Sequence, residues 1–227
     1  PNFKTVIQLK DANGQKSAEL SVTTNEFGSY NGSFRLPEGV MNGNFSIYDR
    51  ERVFMVITPS GKNRFELKPE DIPVIDGISE KVLEGTLKPS TEWPIHLQAY
   101  RTRKDITAVV HTHSHYATAF AILGKEIPPI VFEALNYGVK TKVAAYGMPG
   151  SKALADSVIE PLKEADVVLM KSHGILVVGN NLNHVLLKAS YVEDVAEIYS
   201  YCMTIGNGQE PQAIPQSEFD AFSATLK

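Results

Sequence analysis

Apolar positions change period along the chain, and each change marks a different kind of element. Before residue 42 short alternating runs dominate: Phe3, Thr5, Ile7 and Leu9, then Ala18, Leu20 and Val22, with Asn13-Gly14 between them as a hairpin turn. Phe27-Gly28-Ser29-Tyr30 and Ser33-Phe34-Arg35-Leu36-Pro37 continue as short strands punctuated by glycine. From Gly43 strands interleave with helices. Gly43–Ile47 and Val53–Ile57 read as strands, Leu67–Ile72 as a short helical turn, and Val74-Ile75 as apolar residues after it. Ser90 or Thr91 can cap a helix that tolerates Pro94 in its first turn and turns Trp93, Leu97 and Tyr100 to the core. Ile106–Val110, Val143–Tyr146, Val167–Met170 and Ile175–Val178 are further strands. Helices follow over Tyr116–Leu123, from Ser151 to about Ala165, and from about Asn181 to just before Gly206. The last keeps Val185, Ala189, Val192, Ala196, Tyr199 and Met203 on the helical period. The pattern predicts a layered α/β domain over about 43–206, after a β-rich segment 1–42 and before a polar tail 207–227.

Composition narrows the possible partners. The 227 residues, 43% hydrophobic, suffice for one sizeable domain or for one domain with a small appendage. A net charge of −4 without a basic block argues against nucleic acid, and no basic amphipathic helix suggests a membrane surface. No apolar run approaches the ~18 residues of a membrane span. The single cysteine, Cys202, cannot form an internal disulfide; it lies in a helical stretch and points to a reducing compartment. No secretory signal is visible from Pro1 onward, and Asn31-Gly32-Ser33 is a glycosylation sequon in form only.

Histidines supply the candidate chemistry. The strand Ile106–Val110 runs into His111-Thr112-His113-Ser114-His115, and alternation puts His111 and His113 on one face. A lone H-x-H is commonly a pair of surface or core histidines. Here a third, His173, ends another buried-strand pattern at Ser172-His173-Gly174. Three histidines on strand ends, with no cysteine nearby, match a catalytic zinc site that keeps one position open. His96, His115 and His184 read as a helix residue, a loop residue and an exposed helix residue.

Gly43-Asn44-x-Ser46, Thr58-Pro59-Ser60-Gly61, Lys88-Pro89-Ser90-Thr91-Glu92, His111-Thr112-His113-Ser114 and Ser172-His173-Gly174 occur together and in order. This set resembles the class II aldolase/adducin family over about residues 43–206. The resemblance implies a three-layer α/β/α fold with a central, mainly antiparallel sheet. It implies a cytoplasmic homotetramer with active sites at subunit interfaces. By position, His111, His113 and His173 match the family's metal ligands, for one Zn²⁺ per chain. Glu92 matches the acid/base, which can also reach the metal, and Asn44, Ser60, Gly61, Ser90 and Thr91 match the phosphate site. The implied activity is zinc-dependent cleavage of a phosphorylated ketose, of the L-fuculose 1-phosphate type, to dihydroxyacetone phosphate and an aldehyde. The same metal site leaves a pentulose-phosphate 4-epimerase or an oxo-acid-phosphate decarboxylase open, and adducin-like members are metal-free binding modules. Epimerases tend to carry Asp where this chain has Glu92.

Two departures stand out. Family aldolases carry a tyrosine nineteen residues after the second histidine; that position is Phe132, and Tyr137 and Tyr146, the candidate substitutes, read more readily as core tyrosines. The family also precedes its Gly-Asn with helices, whereas here Thr24–Tyr30 through Gly43–Ile47 resembles a strand pair of a macroglobulin-like β-sandwich domain.

Overall fold

The computed structural model describes residues 4–10, 16–23, 43–61 and 66–225, and contacts divide the chain into units 1–40 and 41–227. In the first unit β1 (Lys4–Lys10) and β2 (Lys16–Thr23) pair antiparallel, with Lys4 opposite Thr23. The Asn13-Gly14 turn and the strands expected over 27–37 lie outside the described residues.

The second unit is built on an eight-stranded sheet. Its strands are β3 (Gly43–Asp49), β4 (Phe54–Ile57), β5 (Val74–Asp76), β6 (Val82–Glu84), β7 (Ala108–Thr112), β8 (Thr141–Ala144), β9 (Val167–Met170) and β10 (Gly174–Gly179). They lie in the order β6-β5-β4-β3-β7-β10-β9-β8, and every neighbouring pair is antiparallel except β8 with β9. Between them run α1 (Trp93–Thr102), α2 (His115–Leu123), α3 (Lys152–Ser157), α4 (Ile159–Glu164), α5 (Leu182–Ile205) and α6 (Gln216–Thr225).

Central strands are apolar on both faces because both are covered. Ala108, Val110, Val167, Leu169, Ile175 and Val177 pack into a core layer shared with α2, α5 and Phe219 of α6. Their sequence neighbours Val109, Val168, Met170, Leu176 and Val178 turn the other way, onto α1, α3 and α4. The result is the expected three-layer α/β/α architecture with a mainly antiparallel sheet.

Departures from the sequence reading have local causes. The helix expected from Ser151 to Ala165 breaks at Val158, because Pro161 has no N–H to give the carbonyl of Ser157. Glu92, rather than Ser90 or Thr91, holds the N-cap position of α1, although Ser90 Oγ accepts the Glu92 N–H at 3.3 Å. Within the expected polar tail, α6 forms and buries Phe219 completely.

Candidate active site

Side-chain parity on two adjacent strands assembles the centre. On β7, Val109 faces α1, so His111, two residues on, faces the same way. On β3, Asn44 lies directly across from His111 and Ser46 across from Val109, so both share that face. Glu92 stands at the start of α1, above this row, and its carboxylate reaches three of the neighbours. Asn44 Nδ2 donates to Glu92 Oε2 at 2.8 Å, His111 Nε2 lies 3.1 Å from the same oxygen, and His173 Nε2 lies 2.7 Å from Oε1. His113, one residue past the end of β7, brings its Nε2 within 2.8 Å of His111 Nε2. One ligand atom from each of Glu92, His111, His113 and His173 falls within 4.8 Å of all the others.

The proton arrangement favours a cation at this point. His111 Nδ1 lies 2.8 Å from the carbonyl of Ile175, which can only accept, so Nδ1 carries the hydrogen and Nε2 presents a lone pair. That lone pair faces a carboxylate oxygen. Burial would raise the carboxyl pKa of Glu92, but the His111 and His173 imidazoles against it outweigh burial and hold the group well below the usual range. Glu92 Oε1 is out of hydrogen-bonding alignment with His173, and His173 Nδ1 is buried without a partner. Three imidazoles and an ionised carboxylate, converging without enough protons to satisfy one another, fit a divalent metal ion.

The turn carrying His173 is tightly specified. Ser172 takes a left-handed φ of 57°, and the His173 N–H donates to the Met170 carbonyl at 3.0 Å. Gly174 follows, where a Cβ would stand 2.4 Å from the Thr112 carbonyl oxygen and 3.1 Å from ring atoms of His111 and His113. Only glycine leaves the His111 and His113 rings and the Thr112 carbonyl their room.

The residues matched to a phosphate site occupy two neighbouring loops. Ser60 N–H donates to the Lys88 carbonyl at 2.9 Å and Ser90 N–H to the Thr58 carbonyl at 3.1 Å. Thr58 Oγ1 accepts the Phe45 N–H at 3.1 Å, which ties these loops to the residue after Asn44. Ser60, Gly61 and Thr91 are exposed, whereas Asn44 and Ser90 are buried. The hydroxyls of Ser60, Ser90 and Thr91, on loops joined at the start of α1, can hold an anion beside Glu92.

His96 was read from sequence as a plain helix residue, and the structure assigns it more. It is fully buried, with Nε2 on Asn44 Oδ1 and Nδ1 2.7 Å from Ser46 Oγ. Its signal was the i, i+4 spacing of Glu92, His96 and Tyr100, which puts all three on one face of α1. His115 and His184 are exposed. Phe132 opens a 3₁₀ turn (Phe132–Tyr137), and its ring meets Phe219 and Phe222 of α6 with centroids 5.4 and 5.0 Å apart. Tyr137 cannot replace the missing family tyrosine, because it is buried in the core layer under α5, on the opposite face of the sheet from Glu92. Tyr146 lies beyond β8 and is exposed.

Comparison with known proteins agrees with this geometry. The family model for the class II aldolase and adducin N-terminal domain matches residues 37–200. The chain is 38% identical over 178 residues to 5-deoxy-D-ribulose 1-phosphate aldolase of Bacillus thuringiensis, covering 78% of this chain and 82% of that one. It is 37% identical over 164 residues to L-fuculose phosphate aldolase of Escherichia coli, covering 72% and 74%. A solved structure of L-fuculose 1-phosphate aldolase superposes with a TM-score of 0.75 at 36% identity, covering 82% of this chain and 86% of that one. The macroglobulin-like reading of the strands near residue 43 is not supported: the family match takes in Gly43–Ile47, and β3 pairs with β4 and β7 inside the eight-stranded sheet.

Proposed function

The chain belongs to the class II aldolase/adducin family, and from that premise we propose that it is a metal-dependent aldolase cleaving a ketose 1-phosphate to dihydroxyacetone phosphate and an aldehyde. The observation that carries this reading is the placement of Glu92: one carboxylate against the His111 and His173 imidazoles, with His113 in the same cluster, at a helix start beside the Ser60 and Ser90 loops.

His111, His113 and His173 would hold Zn²⁺, with Glu92 as an additional ligand when no substrate is present. A zinc ion there supplies Lewis-acid polarisation of the ketone and its neighbouring hydroxyl. Asn44, Ser60, Gly61, Ser90 and Thr91 bind the phosphate, and this fixes the other end of the substrate against Glu92. Cleavage of the bond between the third and fourth carbons takes the proton from the fourth-carbon hydroxyl and releases the aldehyde. The third carbon must then be reprotonated to give dihydroxyacetone phosphate. Glu92 carries that proton, because its carboxylate lies at the histidine cluster, held by Asn44, where it can accept a proton and return it. Residues 43–206 form the catalytic domain in this reading, with 1–42 an appendage and 207–227 a C-terminal extension. A cytoplasmic homotetramer belongs to the same reading; Ile122, Leu123, Ile198, Tyr201 and Ile205 are exposed apolar side chains that subunit contacts would cover. No described helix is long and apolar enough to cross a membrane.

The test is a coupled assay for dihydroxyacetone phosphate over a panel of ketose 1-phosphates that includes L-fuculose 1-phosphate and 5-deoxy-D-ribulose 1-phosphate. Metal-dependent release from at least one is expected. Conversion of a pentulose phosphate to its 4-epimer with no release would overturn the assignment.

A further inference from the structure

Asn44 sits between two proposed parts of the site, the Glu92 carboxylate and the anion loops, and its side chain has two ends of opposite character. Turned one way it offers N–H groups to Glu92; turned the other it would set a carbonyl oxygen against a carboxylate. Nothing on β3 itself decides between them. The decision comes from α1. His96 Nε2 meets Asn44 Oδ1, His96 Nδ1 lies 2.7 Å from Ser46 Oγ, and Ser46 Oγ lies 2.8 Å from Tyr100 OH. The Tyr100 hydroxyl donates to the Ser46 carbonyl at 2.9 Å. Glu92, His96 and Tyr100 are spaced four residues apart on α1, and Asn44 and Ser46 two apart on β3, so the five groups interlock along one helix–sheet seam.

The charge at one end sets the direction of the whole row. Glu92 Oε2 accepts from Asn44 Nδ2, which leaves Oδ1 for His96. His96 must then donate from Nε2, and its Nδ1 must accept the Ser46 hydroxyl hydrogen, so the single Tyr100 hydroxyl hydrogen is shared between the Ser46 carbonyl and Ser46 Oγ. Every member of the row is buried, so a reversed amide would leave acceptor facing acceptor away from water. We propose that His96 is a positioning residue: it locks the Asn44 amide with its NH₂ end toward Glu92 and the anion pocket. The proposal rests on the reading of Asn44 as part of that pocket. His96 itself touches none of the metal-ligand candidates and acts only through Asn44.

Two substitutions separate the ring nitrogens. His96→Gln places an amide N–H near the Nε2 position and keeps the donor to Asn44, whereas His96→Asn reaches only to the Nδ1 position and keeps the Ser46 contact alone. Each is made in the parent and in an Asn44→Ala background. The readouts are inorganic phosphate affinity by calorimetry, kcat and KM for a cleaved ketose 1-phosphate, and bound metal. His96→Asn is expected to weaken phosphate binding and raise KM at least fivefold with metal retained, and His96→Gln to stay within twofold of the parent. With Asn44→Ala in place, neither change should move phosphate affinity beyond twofold. Equal effects of Gln and Asn, or an effect that persists without the Asn44 amide, would overturn the proposal. If the parent binds no phosphate and cleaves no ketose phosphate, the reading of the pocket fails, and thermal melting of the same variants decides the rest. Non-additive losses between His96→Asn and Asn44→Ala then uphold the positioning role, and additive losses refute it.

Discussion

His173 and His96 show how differently two histidines of one chain are used. His173 turns its Nε2 to Glu92 at the end of a turn, within the cluster proposed to hold the metal. His173→Ala should leave the fold intact and remove most of the roughly one equivalent of zinc expected per chain. Elemental analysis checks this, and full metal content in the variant would take His173 out of the centre. His96 is kept neutral instead: burial, helped by His111 and opposed by Glu92, depresses its pKa from the ordinary value to about 3. The unfolded chain therefore binds more protons than the folded one at this residue between about pH 6.5 and 3. Its contribution to stability is complete above that range and is lost as pH falls through it. The melting temperature of the parent should thus fall more steeply between pH 7 and 5 than that of His96→Gln. Parallel curves would show that His96 does not carry this dependence.

Among the elements, the β9–β10 hairpin sets the geometry of the histidine cluster. Gly174 gives His111 and His113 their space and Ser172 accepts a left-handed backbone to aim His173. Gly174→Ala would press a methyl group on the Thr112 carbonyl and the two rings, so metal affinity measured by chelator competition should fall about 10–100-fold. Unchanged affinity would mean that the hairpin relaxes freely. The clustering of His111, His113 and His173 was legible in sequence because each ends or follows an apolar strand run, where period-two alternation fixes the face. His96 was not, because it looks like any polar residue on an otherwise apolar helix face until β3 brings Asn44 and Ser46 against it. The break at Val158 and the short edge strand β6 were likewise missed. The first depends on one lost hydrogen bond, and the second is exposed throughout and carries no burial pattern.

At the scale of the whole molecule, the sheet works as a partition. One face, under α1, holds the polar row and the centre; the other, under α2 and α5, is an apolar layer that also receives Phe219 from α6. The C-terminal helix escaped sequence reading because Phe219 and Phe222 are isolated among polar residues, and their partner Phe132 is some ninety positions away. Phe219→Ala should lower stability by about 3–5 kcal/mol in chemical denaturation, the usual cost of emptying a buried aromatic site. A change under 1 kcal/mol would mean that α6 packs weakly. The layered fold, by contrast, was readable in outline, since alternating strand and helix periods admit few other architectures. The proton transfer proposed for Glu92, on the first of these faces, can be isolated from carbon–carbon bond cleavage. Dihydroxyacetone phosphate alone, in deuterated water, should exchange one hydrogen on the carbon next to its carbonyl when the metal-loaded parent is present. Glu92→Gln keeps the side-chain shape and the three histidines. Exchange is expected to drop at least a hundredfold with bound zinc retained; exchange near the parent rate in that variant would contradict the assignment of Glu92 as the base.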